Sequence, residues 1–352
     1  MNRAKGMLDA LESHNCAIVE KWLGQLERAL IQHDSQSLNA LFLPQSYWRD
    51  VLALTGNIQT LCGAETISEA ISERSKDAGL SNIQVELADI PPRQVIRVGT
   101  ETIEAFFIFK TRVGRGRGIV RLCPDSADCG RYKAWTFLTA LEELIGYEET
   151  TGANRPTGQS YSRDFHGPNW LDQRQEAEAY RERDPTTLVV GGGQAGLAAA
   201  ARLTQLGIDT LIVDKHKRIG DNWRKRYHAL TLHNQVQVNH MPYMPFPPTW
   251  PAYVPKDKLA NWFETYVEAL ELNYWPQTEL VHGVYDEITQ HWTVTLRSGD
   301  GTEQKLCPRD IIMATGVSGI ASRPNIPTLD AFQGRVVHSS EYQDSDDYVG
   351  KK

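Results

Sequence analysis

No pair of cysteines in this chain has the C-x-x-C spacing, and the five present, Cys16, Cys62, Cys123, Cys129 and Cys307, are odd in number. That argues against a disulfide framework, a thiol redox couple and a structural zinc. Each is expected to act as a small buried hydrophobe. An uninterrupted apolar run of the ~18 residues that a membrane span takes is also missing, and the N-terminal MNRAKGMLDALESHN has no apolar signal core. A cytoplasmic address without a membrane span is the expectation. Positive charge is not in excess: 37 Lys and Arg stand against 44 Asp and Glu, a formal charge of −7. A sequence-independent nucleic-acid binder would need a basic stripe, so no nucleic-acid partner is expected. His216, His228, His240, His282 and His291 show no paired ligand spacing, so no metal site is expected either. The run Gly316-Val317-Ser318-Gly319 is one residue short of the G-x-S-x-G of a nucleophile elbow.

What is present is organised around TTLVVGGGQAGLAAAARLTQLGIDTLIVD, residues 186–214. Its β-branched opening, residues 186–190, predicts a strand buried on both faces of a parallel sheet. Gly191, Gly193 and Gly196 follow at the G-x-G-x-x-G spacing, with Gln194 and Ala195 between the last two. The first glycine permits a sharp turn, the second lets a phosphate approach bare backbone, and the third lets the next helix press on the sheet. The alanine-rich stretch 197–203 predicts that helix, whose N-terminus suits a pyrophosphate, and Gly207 closes it. A second apolar run, 211–213, ends in Asp214, at the distance expected for a carboxylate that grips a ribose hydroxyl. Strand, glycines, helix, strand and acid occur in the order a dinucleotide site requires.

The 352 residues are enough for two domains. In 14–33 the apolar residues Ile18, Trp22, Leu23, Leu26 and Leu30 recur at helical spacing. A short helix is expected near Leu38 and another over 63–78. The period then changes to two, and 83–87, 94–98, 102–111, 118–123 and 132–138 read as successive strands. Helices first and strands afterwards indicate an α+β domain over 1–150. That order, with the Trp48-Arg49-Asp50 patch within the amphipathic segment 46–54, resembles the nuclear-transport-factor-two-like, or SnoaL-like, fold, a helix-backed sheet around a cone-shaped pocket. The resemblance implies a dimerisation or ligand-holding domain, so a homodimer through this domain is among the expectations. Asp50 is either a pocket acid or, as charge statistics favour, part of a surface ion pair beside a core tryptophan.

Residues 151–184 read as a linker with one polar helix over 171–182. Beyond Asp214, Gly220-Asp221-Asn222-Trp223 forms a turn carrying a ring suited to covering a flat cofactor. Six prolines between Pro242 and Pro255, interleaved with Tyr243, Phe246, Trp250 and Tyr253, make a stiff extended loop. Residues 257–272 predict an amphipathic helix, and 279–284 and 291–296 alternate as strands. A further apolar strand ends in Ala314-Thr315-Gly316, small residues that fit beside the phosphate side of the glycine motif. Finally, Phe332-x-Gly334-x-x-x-His338-x-x-x-Tyr342 closes the informative sequence, with Val336 and Val337 expected in a strand.

Four signals in one order, GGGQAG, GDNWR, the Ala-Thr-Gly strand and FxGxxxHxxxY, resemble the flavin-containing monooxygenases, and MPYMPFPPTWPAYVPKDKL is similar to their plant YUCCA-type members. Tyr342 favours the N- and S-oxidising branch, because the Baeyer–Villiger branch carries Trp there. The resemblance covers 185–352 and implies a Rossmann-type α/β FAD-binding domain. It implies FAD with its pyrophosphate over Gly191, Gly193 and Gly196, its adenosine end on Asp214, Lys215 and Val281, and its ring system near Asn222, Trp223, His233 and Asn234. Ala314, Thr315 and Gly316 complete that cofactor set. It further implies NADPH as reductant, oxygen as co-substrate, and transfer of one oxygen atom to a small molecule with a soft N or S nucleophile. Asn234 takes the catalytic role, although Gln235-Val236 follows it where the family commonly has Gly-Pro. A second G-x-G-x-x-G is absent from these 352 residues, so the chain is expected to be the front portion of a longer enzyme. A non-catalytic FAD-binding and dimerisation module and an NAD-dependent dehydrogenase are the rival readings.

Overall fold

The computed structural model describes residues 2–350 apart from 126, 127, 129, 157–165 and 318. Part of the expected linker and one cysteine, Cys129, thus lie outside the described residues. The chain divides into two compact units, one running to Glu148 and the other from Glu149.

The first unit opens with helices α1 (Asn2–Gln32) and α2 (Ser35–Asn39), then strands β1 (Phe42–Val51) and β2 (Ile58–Cys62), helix α3 (Ala64–Ala78), and strands β3 (Ser81–Val85), β4 (Arg93–Arg97), β5 (Thr100–Lys110), β6 (Gly114–Pro124) and β7 (Tyr132–Leu144). One sheet holds all seven strands in the order β2-β1-β7-β6-β5-β3, with β4 also paired to β5. Every pairing is antiparallel except β1 with β7. The apolar stripe of α1 is buried as its spacing requires, with Val19 and Leu26 fully covered and Trp22 nearly so. Trp22 packs edge-on to Phe42, and Phe107 lies parallel to Phe137 with centroids 5.2 Å apart. Gly116 and Gly118 on β6 make room for those rings: a Cβ at either would meet the Phe109 or Phe107 ring at 2.1–2.4 Å.

Segment 46–54 proves to be mostly strand β1, and Asp50 is neither a pocket acid nor a surface ion pair. Its carboxylate is fully buried. It accepts hydrogen bonds from the Leu54 and Thr55 N–H groups and from the Thr55 and Thr139 hydroxyls. The Trp48 indole N–H in turn donates to Thr139 at 2.9 Å. Burying a carboxylate is tolerable where its lone pairs are filled, and here they fasten the turn after β1. Cysteine burial holds only in part, since Cys123 is buried but Cys62 and Cys307 are exposed.

The second unit carries α4 (Trp170–Ala179), β8 (Thr187–Val190), α5 (Gln194–Gln205), β9 (Thr210–Val213), the short α6 (Asp221–Arg224), α7 (Lys256–Ala269), β10 (Asn273–Trp275), β11 (Thr278–Asp286), β12 (His291–Ser298), β13 (Glu303–Leu306) and β14 (Asp310–Met313). A parallel sheet runs β10-β9-β8-β14, and β11-β12-β13 form a separate antiparallel meander. Alternate residues of the central strands serve two cores. Val189 and Ile212 pack with Leu197, Ala200, Phe263 and Tyr266 of the helices, while Leu188, Leu211 and Val213 pack with Val294, Leu296 and Leu306 of the meander. Burial on both faces is why β8 and β9 are continuous apolar runs. Among the described residues, no helix is long and apolar enough to cross a membrane.

Val336 and Val337 are not in a strand. Two β-branched residues make a strand only where a neighbouring backbone offers a ladder, and none pairs with them among the described residues. The proline-rich loop is a core component: Phe246 is buried, stacked on Trp250 at 4.8 Å, and both rings meet Trp262 of α7 edge-on.

Candidate functional site

The loop between β8 and α5 is built by glycines that tolerate no side chain. Gly191 has φ +111°, and a Cβ there would lie 2.4 Å from the Ala314 carbonyl oxygen just after β14. The Gly191 N–H donates to the Val213 carbonyl, so the loop leaves the sheet between its neighbouring strands. At Gly196 a Cβ would meet the Gly191 carbonyl at 1.9 Å, which is how α5 comes to rest on the turn. Gly193 differs: a Cβ there would meet only the Asn222 amide nitrogen, at 3.2 Å. Its role is therefore not close packing within the chain. Gly193 is also the N-cap of α5 and supplies no side-chain cap. Bare backbone at the start of a twelve-residue helix, with a partial positive charge, is a cradle for an anionic group.

Asp214 follows β9 and is 8% exposed. One carboxylate oxygen accepts the Gly192 N–H at 2.7 Å, and the other accepts the His216 N–H at 2.8 Å and lies 2.7 Å from His216 Nδ1. The acid is thus tied to the glycine loop from one side and to its own turn from the other. Carboxylate oxygens can accept more than one hydrogen bond each, so lone pairs remain for a hydroxyl.

Three neighbours escaped the sequence reading. His216 fixes the Asp214 carboxylate. Tyr274 of β10 lies beneath the loop, where a Cβ at Gly192 would meet its hydroxyl at 2.0 Å. Burial, with the Asp214 and Asp221 carboxylates nearby, pushes its phenol well above the usual range. The spacing G-G-G hinted at Gly192, but nothing local in sequence points some eighty residues away to Tyr274. Third, Asn239 accepts the Gln194 amide N–H at its carbonyl, 3.3 Å, and its own side-chain amide donates to the Asn234 and Gln235 carbonyls at 3.3 and 2.8 Å. That chain of bonds anchors the segment bearing Asn234 to the first turn of α5.

The structure therefore draws together Gly191, Gly193, Gly196, Asp214, Asn222 and Ala314, and ties Gln194 to the Asn234 segment. Ala195, Lys215, His233, Asn234, Thr315 and Gly316 are solvent-exposed, and Val281 on β11 is 41% exposed. Trp223, on α6, packs partly buried against the helical core. Gly220 before it has φ +85° and lies against the Ala260 backbone of α7, which fixes where Asn222 and Trp223 project.

The family model described as pyridine nucleotide-disulphide oxidoreductase matches residues 188–352. The chain is 29% identical over 183 residues to indole-3-pyruvate monooxygenase YUCCA1 of Oryza sativa subsp. japonica, covering 52% of this chain and 44% of that protein. It is 31% identical over 169 residues to the probable indole-3-pyruvate monooxygenase YUCCA8 of Arabidopsis thaliana, covering 47% and 40%. Among solved structures, a flavin-containing monooxygenase from Stenotrophomonas maltophilia is 25% identical, with a TM-score of 0.44 over 48% of this chain and 49% of that one. The chain thus spans less than half the length of these curated relatives. The matched family stretch begins within β8 and takes in the glycine cradle, Asp214 and the Ala314 strand, so the candidate site lies in the part of the chain similar to nucleotide-dependent oxidoreductases.

Proposed function

We propose that residues 185–352 form the FAD-binding part of a flavin- and NADPH-dependent monooxygenase that oxidises a small molecule at a soft N or S centre. The observation that carries this reading is the bare Gly193 at the uncapped start of α5, faced by Asn222 and backed by the Asp214–Gly192 hydrogen bond. Similarity to the indole-3-pyruvate monooxygenases supports it. The residues present fit FAD, because Gly193 leaves open a cradle that any larger side chain would begin to fill.

In this reading Gly191 and Gly196 shape the loop, and the N–H groups at the start of α5 hold the pyrophosphate. Asp214, held in place by Gly192 and His216, accepts from the ribose hydroxyl, with Lys215 and Val281 at the adenosine end. Asn222, Trp223 and His233 flank the ring system, and Asn234 orients the reacting end. When bound, FAD supplies the two-electron and oxygen chemistry. The chain's own part is to bind and orient it and to keep water and stray protons away. NADPH has no assigned residues here, since these 352 residues contain one G-x-G-x-x-G.

For the first unit, element order and the single helix-backed sheet support a SnoaL-like domain that dimerises. Purifying the 352-residue chain after incubation with FAD tests the main reading. Retained flavin absorbance is expected, lost on Gly193→Val, and little NADPH oxidation. Failure of the folded wild-type chain to retain FAD overturns the assignment, and substrate-dependent NADPH oxidation overturns the division of labour.

A further inference from the structure

The outer face of the first unit's sheet carries an arginine cluster that its own acids do not balance. Glu104 lies in the middle of β5. The register pairs it with Arg93 of β4 on one side and Arg121 of β6 on the other. Side chains directly opposite across neighbouring strands share a face, so both guanidinium groups meet the carboxylate, and Arg97 reaches it from farther along β4. Arg93 donates at 2.9 Å, Arg97 at 2.9 and 3.1 Å, and Arg121 at 2.8 Å.

Those four bonds occupy a carboxylate's acceptor sites, while each guanidinium has five N–H donors. Glu104 is 5% exposed at its side chain, beneath arginines that are 46%, 40% and 31% exposed. Their outer N–H edges thus face solvent. Neighbouring arginines are treated differently. Arg115 has two carboxylates, Glu143 and Glu148, and Arg117 has Glu86 and Asp89. Arg93, Arg97 and Arg121 share Glu104 alone among the ion pairs of the described residues, which leaves three positive charges against one negative.

We propose that this cluster binds a phosphate-type dianion borne by a small molecule. A local surplus of two charges matches a dianion, and planar guanidinium forks match phosphate oxygens in a way that single ammonium groups do not. Glu104 preorganises the forks: anchored through some of their donors, they offer the rest without first losing side-chain freedom.

The test is titration of the full chain with inorganic phosphate at low ionic strength, followed by phosphorus NMR. Saturable binding that weakens as salt rises is expected. Arg93→Gln and Arg121→Gln should each weaken it about tenfold. Glu104→Gln removes the one opposing charge and should strengthen it several-fold. Gly193→Val alters the other anion cradle and should leave unchanged the binding component that the arginine variants remove. No saturable binding, equal affinity in the arginine variants, or loss confined to Gly193→Val would each overturn the proposal. Arg93 is the most exposed of the three, so its variant carries the test should Arg121→Gln or Glu104→Gln fail to fold.

Discussion

Gly191 and Gly193 lie two positions apart and have opposite reasons for lacking a side chain. At Gly191 positive φ and the Ala314 carbonyl at 2.4 Å forbid a Cβ, so Gly191→Ala should destabilise the second unit by about 2 kcal/mol. Urea unfolding measures that directly. At Gly193 the backbone is ordinary extended chain and the neighbour is the far end of the Asn222 side chain. Gly193→Val should therefore unfold at nearly the wild-type urea concentration and yet lose flavin. The spacing of the glycines was legible in sequence; which of them the packing itself requires and which it leaves open was not, because that depends on what lies 2–4 Å away. Asp214→Asn should weaken FAD binding about tenfold by exchanging a charged acceptor for a neutral one. His216→Ala should have a smaller effect in the same direction, read by flavin fluorescence titration. Asp50 is a separate matter. Asp50→Ala strands the donors of the following turn, and a loss of about 3 kcal/mol in the first unit is expected without change in FAD affinity.

Among the elements, β1 shows why alternation can hide. Tyr47, Trp48, Arg49 and Asp50 alternate between exposed and buried as in any strand, but one inward residue is an aspartate, so no hydrophobic period registers. Its acceptable burial depends on Thr139 of β7, some ninety positions later. Strand β13, Glu-Gln-Lys-Leu, was equally invisible, since only Leu306 faces a core. By contrast α1, α3 and α7 were readable because a helical stripe is a local pattern. The β4–β5–β6 ladder carries a pH prediction. Burial alone would raise the Glu104 carboxyl, but hydrogen bonds from Arg97, Arg93 and Arg121 outweigh it and hold the group at about 2, below its ordinary 4.5. A lowered folded-state value means stability that is present above pH 4.5 and lost as the pH falls towards 2. The melting temperature of the wild type should drop more steeply across that window than that of Glu104→Gln, which has nothing to titrate there. Parallel curves would show that the arginines do not stabilise the charged form.

At the scale of the whole molecule, the sequence by itself determined that a dinucleotide-type βαβ unit follows a separate helix-and-strand region, because both are written in local periodicity and in fixed glycine spacing. It also carried the similarity to flavin monooxygenases, through motifs that stay in register along the chain. Which residues complete the cradle was decided by tertiary structure alone. Tyr274 beneath Gly192 and Asn239 against Gln194 are contacts between residues distant in sequence, and in the first unit Glu104 gathers three arginines only because strand register brings them alongside. The physical reason is that packing and charge compensation act through space over a few ångströms, whereas a chain pattern records only what its immediate neighbours require.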